Sequence, residues 1–149
     1  MSPTESAVLE YWKEHREQLR QSENQRAVLT NYVLVVTAGL SGFVAQQKFA
    51  MTTLPVCVLI SVLGLYGALS TAKYHERANY HLTQARALTR TLSSMGVLGS
   101  QSELDNARQL HRARFPRLYR IRLHMIWSGL HLGVAGFGVG LASLCLINA

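Results

Sequence analysis

The stretch FAMTTLPVCVLISVLGLYGALSTA, residues 49–72, runs twenty-four residues without an Asp, Glu, Lys or Arg. At about 1.5 Å per residue a helix of that length reaches ~36 Å, more than the ~30 Å hydrocarbon core of a bilayer. Two further stretches behave in the same way. AVLTNYVLVVTAGLSGFVA (27–45) has nineteen residues without a charge, and MIWSGLHLGVAGFGVGLASLCLINA (125–149) has twenty-five. A buried helix of a soluble domain rarely goes so far without a charge, and three in 149 residues leave no polar face for water. The expected class is an all-α integral membrane protein with three transmembrane helices (27–45, 49–72 and 124–149) and a cytoplasmic antiparallel helical hairpin.

Composition points the same way. The chain is 48% hydrophobic but only 15% charged, where soluble domains carry about 25% charge. Two cysteines, Cys57 and Cys145, are too few for a disulfide scaffold or a multi-cysteine zinc site. The net charge of +7 suggests nucleic acid or anionic lipid as a neighbour, and its distribution decides between them. Residues 1–26 carry four basic residues (Lys13, Arg16, Arg20 and Arg26), the link at 46–48 carries one, and residues 73–123 carry the other ten against Glu76, Glu103 and Asp105. Basic residues stay on the cytoplasmic side. The N-terminus and the 73–123 segment are therefore expected in the cytoplasm, the 46–48 link and the C-terminus outside, in a multi-pass inner-membrane protein. The charged segment ahead of the first apolar run argues against a signal peptide.

Residues 1–26 read as a cytoplasmic helix. Ser2, Pro3 and Glu5 make a capping box, and Glu10/Lys13, Glu17/Arg20 and Glu23/Arg26 are acid-before-base pairs. Val8, Trp12, His15 and Leu19 form a narrow stripe along it. The second span continues past the membrane edge without Gly or Pro to Leu92, with Tyr74, Ala78, Leu82, Ala85, Leu88 and Leu92 on one face. Met95–Ser100 is the turn, and Ser102 with Glu103 and Asp105 is expected to open the returning helix of the 73–123 hairpin. Pro116 ends it.

The third span carries small residues on two sides. Gly129, Gly133, Gly136 and Gly140 fall in one narrow sector, as two consecutive small-xxx-small motifs that suit close helix packing. His124, Ser128, His131, Ala135, Gly138 and Ala142 lie opposite. Ile126, Leu130, Val134, Phe137 and Leu141 fill the flank expected to face lipid. One small face suits the first span, which has its own Ala38, Gly39, Ser41 and Gly42, and the other the second span, through Gly64, Gly67 and Ala68, or a second copy of the chain.

Chemistry is sparsely written. No Gly-x-Ser-x-Gly or phosphate-cradling loop occurs, and Glu76, Glu103 and Asp105 are the only acids beyond the N-terminal helix, so no catalytic residues, metal or cofactor are expected. Histidines offer the alternatives, as a metal site at His75, His81 and His124 or a haem held between two copies of the chain by His124 or His131. His131 is instead expected to hydrogen-bond a carbonyl or a neighbouring helix. Arg108, Arg112, Arg114, Arg117, Arg120 and Arg122 cluster before the third span, where anionic headgroups or an anionic signal such as a nucleotide would meet them. On the first span Thr30, Asn31, Thr37 and Ser41, with Gln46, are the candidates for lining a pathway.

The order of these parts resembles the SLATT group of small bacterial membrane proteins. The resemblance covers roughly residues 5–95 and lies in layout: an N-terminal helix, a tight transmembrane hairpin, and a second span extended through Lys73-Tyr74-His75-Glu76-Arg77 to Ala85-Arg86-Ala87-Leu88-Thr89-Arg90. It implies a homo-oligomeric, pore-forming effector in antiviral defence, acting once a cytoplasmic sensor partner detects infection. The third span departs from the group's two-span plan. The alternative is a structural or anchoring subunit that docks a partner through the glycine-rich third span.

Overall fold

A computed structural model describes residues 2–148. Among them all regular structure is helical: α1 (Pro3–Gln46), α2 (Leu54–Ser94), α3 (Gln101–Arg114) and α4 (Leu123–Ile147), with 3-10 turns at Met51–Thr53 and Leu118–Arg120. Three of these helices, α1, α4 and the run Met51–Ser94, are long and apolar enough to cross a membrane. The chain falls into two compact units. Residues up to Glu23 with His75–Arg122 form one, and Asn24–Tyr74 with the chain from Leu123 onward form the other.

In the first unit, α1 opens on the expected capping box. Ser2 N donates to Glu5 Oε2 (2.8 Å) and Glu5 N donates to Ser2 Oγ (3.2 Å), so two otherwise unpaired helix-start donors are satisfied. Lys13–Glu10 (2.7 Å) and Arg20–Glu17 pair as read from the sequence. The stripe around Trp12 and His15 lies against the apolar face of α2, where Ala78, Ala85 and Leu92 are buried. Trp12 Nε1 donates to Thr89 Oγ1 (3.0 Å), and Arg77 donates to Gln18 Oε1 (3.1 Å).

α3 differs from expectation in two respects. Its cap is Ser100, whose Oγ accepts from Glu103 N (3.4 Å), and not Ser102, which is already helical. It also buries no residue, and Leu110 is 64% exposed. The α2 extension therefore finds its packing partner in α1, because α3 has only Leu104, Ala107, Leu110 and Ala113 among polar and charged residues and offers no continuous apolar face.

Two helix ends use the same left-handed cap. After α1, Phe49 N donates to Val44 O (3.1 Å) and Lys48 N to Ala45 O (2.9 Å). After α2, Val97 N donates to Leu92 O (3.0 Å) and Gly96 N to Ser93 O (3.1 Å). Both are Schellman closures. Gly96 holds φ +75° without penalty, whereas Lys48 (φ 54°) and Phe49 (φ 57°) bear a Cβ in that region. Lys48→Gly is expected to raise stability by about 0.5–1 kcal/mol, and Gly96→Ala, in open space but at positive φ, to lower it by about 1 kcal/mol. Denaturation of the purified protein in detergent reads both.

The second unit is built on Val33 and Val44 of α1, Cys57 and Ile60 of α2, and Val134, Leu141 and Cys145 of α4. Its outward residues are also apolar, among them Val35, Leu69, Leu65 and Ile147. The burial of Val134 and Leu141 corrects the expectation that this flank of the third span looks away from the protein, while Ile126, Leu130 and Phe137 do point outward.

Candidate functional site: a buried polar seam and an open glycine face

Within the second unit α2 and α4 run antiparallel with their backbones in close approach. A Cβ on Gly138 would stand 2.5 Å from Ser61 Oγ and 2.6 Å from Ser61 N. One on Gly64 would stand 2.3 Å from Ala135 N, and one on Gly67 2.2 Å from His131 Nδ1. Glycine at these three positions is what lets the helices meet. The gap at Gly67 is filled by the imidazole of His131, which is fully buried.

α1 completes the seam. Thr30 Oγ1 donates to Arg26 O (2.9 Å) and lies 3.1 Å from His131 Nε2. A hydroxyl has one proton to give, so with that proton on the carbonyl the Thr30 oxygen accepts from Nε2–H, and Nδ1 is the free acceptor. His131 thus bonds a neighbouring helix, as its position in an apolar run required. Arg26 departs from the expected pair with Glu23. It is 7% exposed, and its guanidinium lies 5.4 Å above the Trp127 ring, an arrangement that offsets part of the cost of burying a cation. Arg26 Nε, Thr71 Oγ1, Trp127 Nε1 and His131 Nδ1 are all buried without a hydrogen-bond partner. Thr37 Oγ1 is a fifth in the same unit; such atoms cost free energy when dry, and the four around His131 mark this seam as its polar centre.

The pathway candidates separate. Thr30 and Thr37 are buried within the unit, and Ser41 Oγ donates back to Thr37 O (2.6 Å). Asn31 is exposed on the outward side. The four glycines singled out on the third span lie away from the seam: Gly129, Gly133, Gly136 and Gly140 have nothing within 4 Å of a built Cβ, and neither do Gly39 and Gly42 on α1. The chain's own packing uses the opposite small face, through His131, Ala135 and Gly138. Gly64 and Gly67 therefore make the close approach to α4 expected of the second span's small residues, whereas Gly39 and Gly42 of the first span make none.

The first unit holds a histidine pair that the sequence reading missed. His15 and His81 approach at Nδ1···Nδ1 3.0 Å, one ring donating to the other, with His15 buried. His81 is therefore drawn towards α1, and the His75 ring lies 3.0 Å from Asn79 Nδ2. Tyr11 and Tyr80 stack edgewise on the pair. Burial, then the charges of His15 and Arg77, push the His81 pKa below its ordinary 6.5, and Glu14 opposes them. A depressed imidazole favours the neutral form in the fold, so its contribution is present above pH 6.5 and is lost as the pH falls below it. The thermal midpoint is expected to fall on acidification in this window, and His81→Gln to flatten that fall. An unchanged slope would show that the pair is not coupled to folding.

The arginine cluster is exposed throughout. Arg108 pairs with Asp105 (2.8 Å), Arg112 lies 4.9 Å over Tyr119, and Arg114 lies 5.7 Å over Phe115. Arg108, His111 and Arg112 line a shallow cleft with Arg86 of α2 and Tyr119. The cleft is cationic and aromatic, the chemistry that suits an anion with a flat ring.

No family model, curated protein or solved structure matches this chain.

Proposed function

We propose that the chain is a multi-pass inner-membrane protein that works without catalysis: a homo-oligomeric effector, SLATT-like in layout, that permeabilises the membrane in a bacterial defence or conflict system. The charge bias puts the N-terminus and residues 73–123 in the cytoplasm and the C-terminus outside. The observation that carries the assembly is the open glycine face. Gly129, Gly133, Gly136 and Gly140 offer bare helix backbone that the chain itself does not cover, and apolar surroundings give helices little reason to associate other than close packing and hydrogen bonds. The apolar outward residues of all three long helices suit lipid contact. The cationic cleft at Arg86, Arg108 and Arg112 is where a nucleotide-like signal or the acidic surface of a sensor protein would act.

With Thr30 and Thr37 turned inward, a pathway between protomers has Asn31 as its polar lining. Induced expression in bacteria is then expected to depolarise the membrane, read by a potential-sensitive dye. Asn31→Leu should abolish this with insertion intact, since Leu suits the bilayer at least as well. Reporters fused after Gln47 and after Ser100 should score external and cytoplasmic; an external Ser100 would overturn the orientation.

The inward turn of those hydroxyls favours a second reading, an anchoring subunit that docks a partner through its glycine face. Cells that never depolarise, even with the neighbouring genes supplied, would decide for it.

A further inference from the structure

The two cysteines, 88 positions apart, meet. Cys57 Sγ of α2 and Cys145 Sγ of α4 are 3.8 Å apart, and both residues are fully buried. Two helical turns along α4 from Cys145 the backbones come close, since a Cβ on Gly138 would stand 2.9 Å from Cys57 O. Closing the sulfur gap to the ~2.05 Å of a disulfide moves each sulfur by about 0.9 Å, within reach of side-chain rotation. Cys57 lies within the first turn of α2 and Cys145 within the last turn of α4, so the pair, although buried, needs only the fraying of two terminal turns to meet a reagent.

The polar atoms around the pair supply a route for its protons. Thr53 Oγ1 donates to Ala50 O (2.7 Å) and lies 3.4 Å from Cys145 Sγ. With its own proton so placed, Thr53 accepts the Cys145 thiol proton, and Cys145 sulfur accepts that of Cys57. The chain of contacts leads from Cys57 through Cys145 and Thr53 to the link between α1 and α2.

We propose that Cys57 and Cys145 form a reversible intramolecular disulfide, a redox clip that locks α2 to α4. The oxidant is a second disulfide. Cys145 loses its proton and its thiolate attacks one sulfur of the oxidant, expelling one thiolate and leaving a mixed disulfide. Cys57, deprotonated in turn, attacks the Cys145 sulfur and expels the second thiolate. Two protein thiols and one oxidant disulfide become one protein disulfide and two oxidant thiols, the two protons passing to the expelled thiolates. By the charge bias this end of the helices faces outside, and compartments outside the cytoplasm sustain disulfides. The clip does not depend on whether the chain conducts.

The test uses the purified full chain in detergent, treated with 4,4′-dithiodipyridine, an apolar aromatic disulfide. The expected product is a monomer lighter by two hydrogens and free of pyridyl adduct, with a peptide joining residue 57 to residue 145 that a phosphine reductant splits. Its thermal midpoint is higher than that of the reduced chain, and reduction restores the lower value. Cys57→Ser is expected to stop at a single pyridyl adduct on Cys145. A doubly adducted chain, a disulfide-linked dimer, or a wild-type chain that does not react would each overturn the clip.

Discussion

Gly64→Ala is expected to unseat α4 from α2. A Cβ there would stand 2.3 Å from the Ala135 nitrogen, 2.7 Å from its Cα and 2.8 Å from the His131 carbonyl, all backbone atoms that no side-chain rotation can move. In a free helix the same change is favourable by about 1 kcal/mol. Overpacking against backbone costs about 1–3 kcal/mol or more, so the clash outweighs the propensity gain and the variant should unfold at lower denaturant. Gly67→Ala meets a different obstacle, the His131 ring at 2.2 Å. The double variant Gly67→Ala with His131→Ala should therefore recover part of the loss, whereas His131→Ala should leave Gly64→Ala unrescued. A coupling of about 1 kcal/mol or more in the Gly67–His131 cycle is expected. A Gly64→Ala chain as stable as the parent would mean that α2 and α4 do not approach this closely.

Gly133→Leu and Gly136→Leu should act in the opposite manner. Neither glycine has a neighbour within 4 Å, so the protomer has room for a longer side chain and its unfolding should be unchanged or slightly delayed. Assembly is what a leucine there would obstruct, by holding apart helices that bare backbone lets touch. The expected result is a smaller species in detergent sizing, full accumulation in the membrane fraction, and loss of dye-detected depolarisation. Oligomer size and depolarisation both equal to the parent would show that this glycine face looks at lipid alone. The two sets of glycines thus separate stability from assembly.

Some of the tertiary arrangement had a sequence signal that could have been followed further. Gly64, Gly67 and Thr71 recur at three and four residues, the spacing of one helix face, and a buried histidine in an apolar run needs both room and a partner. The pairing of His15 with His81 had a weaker signal. His15 lies on the apolar stripe of α1 and His81 on that of α2, three residues after Ala78 and four before Ala85, but which residues of the two stripes meet is set by the register of the helices, and that is not written in either stripe alone. Arg26 reads in sequence as the partner of Glu23, and the i,i+3 rule holds for the two pairs before it. It fails at the third because Trp127, distant in sequence, offers the guanidinium an aromatic face.

The amino-acid sequence by itself determined the helices, their capping at Ser2, the break at Pro116 and the three runs long enough to cross a bilayer. These depend on neighbours within a turn or on the count of residues without charge, and both are local. Which side of α4 would be its inner side was not local. Glycines at 129, 133, 136 and 140 and small residues at 128, 135 and 138 are equally able to admit a neighbouring helix. The tertiary structure decided between them through one polar side chain: only with the His131 side inward does its imidazole reach the Thr30 hydroxyl and the space left by Gly67. Turned outward it would leave both ring nitrogens in an apolar surrounding, at a cost that the glycine face, with no polar side chain to satisfy, does not incur.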